Sequence, residues 1–298
     1  MTRKHRYSRA VLDSLPPFDR SVSCLTWAYN EEKLIEPFLR KVDGLLRRNV
    51  REYEIVVVDD ASTDRTNEIV ASLARELPQI RLHRNPVNLN VGLSCQNAIR
   101  RATKEFLFWQ TVDWAYDLSY FRLFLEFLRE NDVVAGVRRS PVKVSGSLVK
   151  PAAALIKLFG YKHLTRRSDT VPKALVSLIN YSLIRLLFRL PLSDYQNVVF
   201  YRTKLLQSIT FESRSSFVNP EGLIKSFWSG ASIREVPISF IPRTTGTAKG
   251  TRPRAIFNSV KDILGCWFRW VVLGRVPVVR KGVIRRFEPA DWDLRLHE

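Results

Sequence analysis

The stretch Glu54-Ile-Val-Val-Val-Asp-Asp-Ala-Ser-Thr-Asp-Arg-Thr66 decides the fold. Its β-branched run, from Ile55 to Val58, is typical of a strand that is buried on both faces of a parallel sheet. The run ends at two adjacent carboxylates, Asp59 and Asp60. Acidic side chains at the carboxyl end of such a strand stand where open α/β sheets bind ligands. A capped turn with solvated acids is the plainer interpretation, and the rest of the chain decides between the two.

Strand-like and helix-like segments alternate on both sides of this stretch. Strands are predicted at 21–27, 55–58, 80–83, 105–112 and 132–137, with a helix between each pair. Beyond them the pattern predicts helices at 147–159 and 172–190, a strand at 195–201, a helix at 219–228, a strand at 232–241 and a last helix at 255–272. The alternation predicts βαβ units, and therefore an α/β protein with a Rossmann-like, mostly parallel sheet flanked by helices.

The predicted organisation is one main domain between two tails. Residues 1–20 are polar and are predicted to form a loosely ordered tail. The main domain is predicted over 21–255, with a basic amphipathic helical insert at 138–190. Residues 256–298 are predicted to form a C-terminal helix and tail.

Several sequence features predict a cytoplasmic location. No apolar segment follows the basic N-terminus, so no signal peptide is expected. No uncharged apolar run approaches the roughly 20 residues that a membrane span needs. Three isolated cysteines, Cys24, Cys95 and Cys266, are typical of buried thiols in a reducing compartment.

The charge of the chain predicts an anionic partner. The net charge is +19, which favours binding to a phosphorylated substrate, anionic lipid or nucleic acid. Residues 138–189 alone carry 11 Lys and Arg against one acid, Asp169. More than half of the excess charge therefore lies in about one sixth of the chain.

The common glycine-rich phosphate cradles are missing from the sequence. Neither a GxGxxG loop after the first strand nor a GxxxxGK[ST] loop is present. Acids at strand ends offer another chemistry. Asp59 or Asp60 can bond the base or ribose of a nucleotide, and acids after the fourth strand can hold Mg²⁺ or Mn²⁺, which would neutralise a pyrophosphate.

Five stretches resemble, in their order, the motifs of family 2 glycosyltransferases. They are Ala28-Tyr-Asn-Glu-Glu32, Val58-Asp-Asp-Ala-Ser-Thr-Asp-Arg-Thr66, Asn90-Val-Gly-Leu93, the loop at Asp113, and Glu235-Val-Pro-Ile-Ser-Phe-Ile-Pro-Arg243. The resemblance covers about residues 20–255 and extends to the polyprenyl-phosphate branch, which includes dolichol-phosphate mannose synthases. It implies the GT-A fold and a hexosyltransferase that takes its sugar from a nucleotide-diphospho-sugar and inverts the anomeric centre.

The resemblance also implies a role for each matching residue. The residues that would line the nucleotide pocket or contact its base and ribose are Tyr29, Asn30, Glu32, Asp59, Asp60, Asn90 and Gly92. Arg243 and Lys249 would hold the phosphates of the donor and the acceptor.

The metal loop departs from the pattern of the branch. Asp113 would be the first ligand of the DxD motif, but the second acid is replaced by Ala115. Asp117 falls two positions further on, where the branch can also ligate a metal. We expect Asp113 and Asp117 to hold Mg²⁺ or Mn²⁺ together, and the alternative is that Asp117 only caps the following helix.

The implied acceptor is a polyprenyl phosphate, which is already an anion and needs no general base, only charge neutralisation and positioning. A sugar hydroxyl of a lipid-linked or soluble glycan is the alternative acceptor, and it would need a base. Asp194 is the candidate base, or else a structural bridge to Arg243 or Lys249.

The basic apolar segments at 147–159 and 172–190 are predicted to be helices lying on an anionic membrane, with their apolar faces in lipid. Packing on the sheet or in a dimer is the alternative for this pair. The Trp267-Phe-Arg-Trp270 helix is equally compatible with the membrane interface and with the protein core. The expected location is the inner face of the membrane, and a homo-oligomer or a separate membrane-anchor protein stays open.

Two other functions are compatible with parts of the sequence. A net charge of +19 would also bind nucleic acid, but the cations are mixed into apolar helices and no nucleic-acid motif is present. We therefore expect no nucleic-acid partner. A sugar-binding protein without catalysis is the second alternative, because Ala115 replaces a metal ligand.

Overall fold

The computed structural model describes residues 9–139, 171–239 and 253–286, and within them eight strands form one sheet in the order β3-β2-β1-β4-β6-β5-β7-β8. The strands are β1 (Phe18–Ala28), β2 (Val50–Asp59), β3 (Ile80–Arg84), β4 (Phe106–Trp109), β5 (Val133–Arg139), β6 (Val199–Arg202), β7 (Ser232–Ser239) and β8 (Val283–Arg285). β6 is antiparallel to β4 and β5, and the other neighbouring pairs are parallel. The predicted mostly parallel sheet is confirmed.

Helices cover both faces of this sheet. They are α1 (Arg9–Ser14), α2 (Ile35–Asn49), α3 (Thr66–Glu76), α4 (Asn90–Arg101), α5 (Phe121–Leu128), α6 (Val171–Phe188), α7 (Thr203–Gln207), α8 (Val218–Trp228) and α9 (Pro253–Trp267), which continues as a π-helical turn over Phe268–Val272. None of the described helices combines the length and the apolar character that crossing a bilayer requires.

The apolar run of β2 separates two cores. Successive side chains of a strand point to opposite faces, so Ile55 and Val57 belong to one cluster and Val56 and Val58 to the other. All four side chains are fully buried. Helices α1, α2, α3 and α5 pack on the first face, and α4 and α6 to α9 pack on the second. The prediction of a strand buried on both faces is confirmed.

The structure differs from the sequence prediction at both ends of the chain. The predicted loose tail over 1–20 contains α1 and the start of β1. Phe18 is fully buried beside Val50, and Arg122 donates a hydrogen bond to the carbonyl of Pro16. In the predicted C-terminal tail, β8 pairs with β7. Contacts with residues distant in sequence order both segments, and local polarity did not indicate them.

The second basic helix-like segment corresponds to α6, and one face of it belongs to the protein core. Tyr181, Ile184 and Phe188 are buried, and the ring of Phe188 packs on Trp270 of the π-helical turn. For this side of the helix the prediction of an apolar face in lipid is therefore wrong, and the alternative of packing on the sheet is confirmed. Leu186 is 70% exposed. The segment predicted at 147–159 lies outside the described residues.

Candidate functional site

The sheet topology brings most of the predicted site residues to one edge. Ala28, Asp59 and Arg84 are register partners at the carboxyl ends of β1, β2 and β3. β4 ends at Trp109 on the same edge, three residues before the loop of Val112 to Asp117. Because β6 runs in the opposite direction, the segment of Asp194 that precedes it also arrives there. This edge is where open α/β sheets bind ligands.

The turn after β1 is held against the loop after β2. Asn30 adopts a φ of 54°, its backbone N–H donates to Oγ of Ser62 at 3.0 Å, and its Oδ1 accepts from the backbone N–H of Thr63 at 2.8 Å. The backbone N–H of Glu32 donates to Oδ2 of Asp64 at 3.2 Å. Asn30 and Glu32 therefore stabilise the wall of the site. Neighbouring Tyr29 is 37% exposed.

Asp59 is fully buried and serves the loop that follows it. Its Oδ1 accepts from the backbone N–H of Ser62 at 3.1 Å, and its Oδ2 accepts from Nδ2 of Asn67 at 3.0 Å. The guanidinium of Arg84 lies 3.3 Å from the same Oδ2. The turn of the plainer interpretation is indeed capped by Asp59, but its acids are not solvated, because Asp59 and Asp60 are both buried.

Asp60 fixes the start of α4. Its Oδ1 accepts from Nδ2 of Asn85 and from the backbone N–H of Leu89, both at 2.8 Å. Its Oδ2 accepts from the backbone N–H of Asn90 at 2.9 Å. A carboxylate has about four lone-pair positions, so Asp60 keeps acceptor capacity for a ligand. Asn85 also accepts from Nδ2 of Asn97 at 2.9 Å, and sequence reasoning gave this buried asparagine no role.

Gly92 is needed for a close backbone approach. A Cβ atom at this position would lie 2.3 Å from the backbone carbon of Arg214. The side chain of Gln96 donates to the carbonyl of Ser213 at 2.8 Å one turn later on α4. Helix α4 begins at Asn90, whose backbone N–H is bound by Asp60. Gly92 thus positions α4 against the loop at 213–215.

The loop after β4 carries the predicted metal ligands. The side chain of Gln110 accepts from the backbone N–H of Thr111 at 3.0 Å and donates to the carbonyl of Tyr116 at 2.8 Å, which closes the loop. Trp114 adopts a φ of 53°, and its ring packs on Phe38. The backbone between the two predicted ligands is therefore braced by Gln110 and by the packing of Trp114.

The two predicted ligands differ in their surroundings. Both carboxylate oxygens of Asp113 are inaccessible to solvent. Oδ1 of Asp117 accepts from the backbone N–H and from Oγ of Ser119, at 2.9 and 2.6 Å, so Asp117 does cap the turn that follows. In the described part of the chain, no three His, Cys, Asp or Glu side chains form a metal-binding group. The carboxylates still fit a hard divalent ion, whose other ligands would come from the substrate.

Asp194 lies in a second acidic region of the same edge. It is buried, its Oδ1 accepts from the backbone N–H of Gln196 at 3.1 Å, and its Oδ2 accepts from Nδ2 of Asn197 at 3.3 Å. These bonds order the turn that leads into β6. Its two predicted structural partners lie outside the described residues; they are Arg243 and Lys249.

Glu235 on β7 is a residue that sequence reasoning quoted without giving it a role. It is buried, and its two oxygens accept from the backbone N–H and from Oγ of Ser193, at 2.6 and 2.9 Å. Burial raises the pKa of Glu235, and Asp194 raises it further, against the hydrogen bonds from Ser193 and the charge of Arg286. The sequence signal that could have identified Glu235 is an acid inside a predicted apolar strand, directly before Val236.

Most of the site residues described above lie in the part of the sequence that matches a known family. Residues 23–185 match the family model described as Glycosyl transferase family 2. The chain belongs to glycosyl transferase family 2. The matched residues of this family 2 chain include the turn at Asn30, the acids Asp59 and Asp60 at the end of β2 and the loop of Asp113. The predicted family is therefore confirmed.

Two curated relatives resemble parts of the family 2 chain. It is 36% identical to a dolichyl-phosphate beta-glucosyltransferase of Trichomonas vaginalis over 99 residues. This match covers 32% of this chain and 29% of that relative. It is 25% identical to the glycosyltransferase AglD of Haloferax volcanii over 262 residues. This match covers 86% of this chain and 38% of that relative. The matches therefore span well under half of the length of these two relatives.

A solved structure shows the same backbone arrangement. The mannosyltransferase PcManGT from Pyrobaculum calidifontis, in complex with GDP-Man and Mn²⁺, has a TM-score of 0.53 and 14% identity to the family 2 chain. The match covers 89% of this chain and 71% of that one. The predicted GT-A fold is confirmed.

Proposed function

We propose that this family 2 chain transfers a sugar from a nucleotide-diphospho-sugar to a polyprenyl phosphate, with a divalent metal and with inversion of the anomeric centre. The single observation that carries the proposal is the edge of the sheet, where the Asn30 turn, Asp60, the Asp113 loop and Asp194 meet. Because the chain belongs to glycosyl transferase family 2, the reaction proposed for this edge is sugar transfer. The reaction takes place at the inner face of the membrane, where such an acceptor lies.

The donor nucleotide lies along the carboxyl ends of β1 and β2. Tyr29 offers an exposed ring for the base. Asp60 accepts a bond from the ribose or base with its remaining lone pair, while its other hydrogen bonds keep the carboxylate oriented. Asn90 at the start of α4 lies beside it, so the partial positive charge of the helix start favours the diphosphate.

A divalent metal is held by Asp113, with Asp117 as the second carboxylate. Mg²⁺ and Mn²⁺ prefer oxygen ligands, and a site with few protein ligands leaves positions for the oxygens of the pyrophosphate. When bound, the ion supplies charge neutralisation of the leaving nucleoside diphosphate. Gln110 bonds both ends of the loop that carries Asp113. The PcManGT complex, whose name includes Mn²⁺, supports this assignment.

The acceptor is a lipid phosphate, and the chain positions it without a base. A phosphate oxygen is already an anionic nucleophile, so the remaining requirement is to hold it in line with the anomeric carbon. Arg243 and Lys249 are proposed to hold the phosphates. The bonds that Asp194 makes to Gln196 and Asn197 give it a structural role. The dolichyl-phosphate beta-glucosyltransferase among the relatives supports this acceptor class.

A transfer assay with three acceptors tests the proposal. The protein, Mn²⁺ and nucleotide-sugars labelled in the sugar are incubated with polyprenyl phosphate, with the matching polyprenol, or with a soluble glycan. We expect label in the organic phase only with the phosphate. The Asp194→Asn variant should keep most of this activity, because the acceptor needs no proton acceptor.

Other outcomes of the assay contradict the proposal in distinct ways. Label on the polyprenol or glycan, lost in Asp194→Asn, would assign a hydroxyl acceptor and a base. Binding of nucleotide without transfer to any acceptor would assign a sugar-binding protein without catalysis.

A further inference from the structure

Helix α9 and the π-helical turn that continues it are apolar on two opposite sides. The inner side, with Ile263, Cys266 and Trp270, is fully buried in the second core. The outer side carries five exposed apolar residues at helical spacing, and they are Phe257 (68%), Leu264 (44%), Phe268 (50%), Val271 (46%) and Val272 (52%). A helix that only completes a core has one apolar stripe and a polar outer side. The outer stripe therefore serves something beyond the described core.

We call these five exposed residues of the helix the C-terminal apolar face. Leu273, which follows the helix directly, is exposed as well. Soluble monomers rarely expose so many neighbouring large apolar side chains without a binding function.

The charge around the C-terminal apolar face indicates its partner. Residues 256–286 contain seven Lys and Arg against one acid, Asp262. Asp262 is occupied inside the protein, because it accepts from the backbone N–H groups of Arg214 and Ser215, at 3.1 and 3.0 Å. Lys261 is exposed on the same side of the helix as Phe257 and Leu264. Apolar side chains between exposed cations complement an anionic lipid surface.

We propose that the C-terminal apolar face lies in the interface of an anionic bilayer. Its apolar side chains enter the boundary between head groups and acyl chains, and the exposed Lys261 contacts the anionic head groups. This surface goes beyond the proposed transfer reaction, because vesicle binding does not depend on which acceptor is used.

The face is fixed relative to the candidate site. Asp262 holds the loop at 213–215, and that loop is the one whose backbone approaches Gly92 of α4. Trp270 donates to Oε1 of Glu212 at 2.5 Å from the other end of the helix. A membrane bound to this face would therefore meet the site in one orientation, which suits an acceptor that arrives in the bilayer.

Co-sedimentation with vesicles tests the proposal. The full chain is mixed with phosphatidylcholine vesicles that contain either no or one third phosphatidylglycerol, and the bound fraction is measured as lipid increases. We expect binding to the anionic vesicles, weakened by salt. The Phe257→Gln/Leu264→Gln/Phe268→Gln variant should bind at least about tenfold more weakly, because three side chains no longer enter the apolar layer.

Two further variants separate this result from a general change in the protein. Val11→Gln removes an exposed apolar side chain of α1 on the opposite face of the sheet and should leave vesicle binding unchanged. Lys261→Gln should weaken binding to anionic vesicles and leave the melting temperature unchanged. A thermal melt of the triple variant should match that of the unmodified protein, because the three side chains are exposed.

Three results would overturn the proposal. One is that the unmodified protein does not bind anionic vesicles, and another is that the triple variant binds as tightly as the unmodified protein. The third is a dimer in solution that the triple variant converts to a monomer with unchanged vesicle binding, which would assign the face to a second copy of the chain. A failed transfer reaction would leave each of these vesicle results unaffected.

Discussion

The carboxylate of Asp60 accepts a hydrogen bond at 2.9 Å from the backbone N–H of Asn90, across 30 residues of sequence. Asn90 has a φ of 64° and begins α4. The end of the apolar run of β2 and the start of α4 are therefore one unit. A ligand that contacts Asp60 meets the start of this helix at the same time.

Asp60→Asn tests this unit. The three groups that bond Asp60 are all N–H donors, so an amide NH₂ would face a donor instead of an acceptor. We expect the free energy of unfolding to fall by about 1–3 kcal/mol, the cost of leaving a buried donor unsatisfied. Nucleotide affinity should fall as well. Denaturant unfolding and calorimetric titration measure the two effects.

The matched control for that variant is Glu68→Gln on α3. The side chain of Glu68 is 79% exposed, so the same chemical change should alter the free energy of unfolding by less than about 0.5 kcal/mol. Equal stability of the Asp60 and Glu68 variants would contradict the role of Asp60 in holding α4.

Two glycine substitutions should have opposite effects on stability. In Gly92→Ala the new Cβ would meet backbone atoms of Arg214 at 2.3 to 2.7 Å. Because backbone moves less readily than a side chain, we expect a loss of about 1–3 kcal/mol. In Gly44→Ala within α2 the nearest atom is Nη1 of Arg48 at 3.4 Å, and the helix should gain about 0.5–1 kcal/mol. Thermal melts of both variants give the comparison.

A gain in stability for Gly92→Ala would show that the loop at 213–215 is not packed on α4 as described. A loss of stability for Gly44→Ala would show that helix propensity does not dominate at that position. The variant would then no longer serve as a control for Gly92→Ala.

Glu235→Gln should change how stability depends on pH. Burial raises the pKa of Glu235 in the folded protein, so the folded state binds its proton more tightly than the unfolded state does. The stability of the unmodified protein is then fully present below the unfolded pKa of about 4.3 and declines as the pH rises through the folded pKa. The glutamine variant lacks this decline and can still bond Ser193.

Denaturant unfolding of both proteins from pH 4 to pH 8 measures that difference. The variant should gain stability relative to the unmodified protein as the pH rises, whereas Glu68→Gln should show no such trend. A difference that is flat with pH, or that has the opposite slope, would contradict a buried Glu235 with a raised pKa.

The sequence predicted the parts of the fold that depend on local pattern. The run from Ile55 to Val58 predicted a strand buried on both faces, and the alternation of segments predicted the mostly parallel sheet. The motif order predicted the family. Each of these signals lies within a short stretch, where apolar periodicity or residue identity is sufficient.

Features that depend on contacts distant in sequence were not predicted. The placement of β6 between β4 and β5 depends on the pairing of Phe108 with Phe200 and of Val134 with Phe200. The strand β8 has three residues, and its order comes from pairing with β7. The sequence motif assigned Gly92 to the nucleotide pocket, but the structure shows that a side chain at this position would collide with the backbone of Arg214.

The structure distinguishes two adjacent acids, Asp59 and Asp60, that the sequence pattern treats alike. Asp59 was predicted to contact the nucleotide, yet its carboxylate is engaged by Asn67 and Arg84. Asp60 keeps acceptor capacity beside the start of α4. A sequence pattern could not separate these two adjacent acids, because alternation along the strand gives them different surroundings that only the folded chain reveals.

Calorimetric titration with GDP, UDP and dTDP, each with and without Mn²⁺, tests the central claim most directly. The account predicts that one of these nucleotides binds tightly, that binding requires the metal, and that Asp113→Ala abolishes it while Glu68→Gln does not. Binding of none of the three, or equal binding without Mn²⁺ and in Asp113→Ala, would contradict a metal-dependent nucleotide-sugar site at this edge of the sheet.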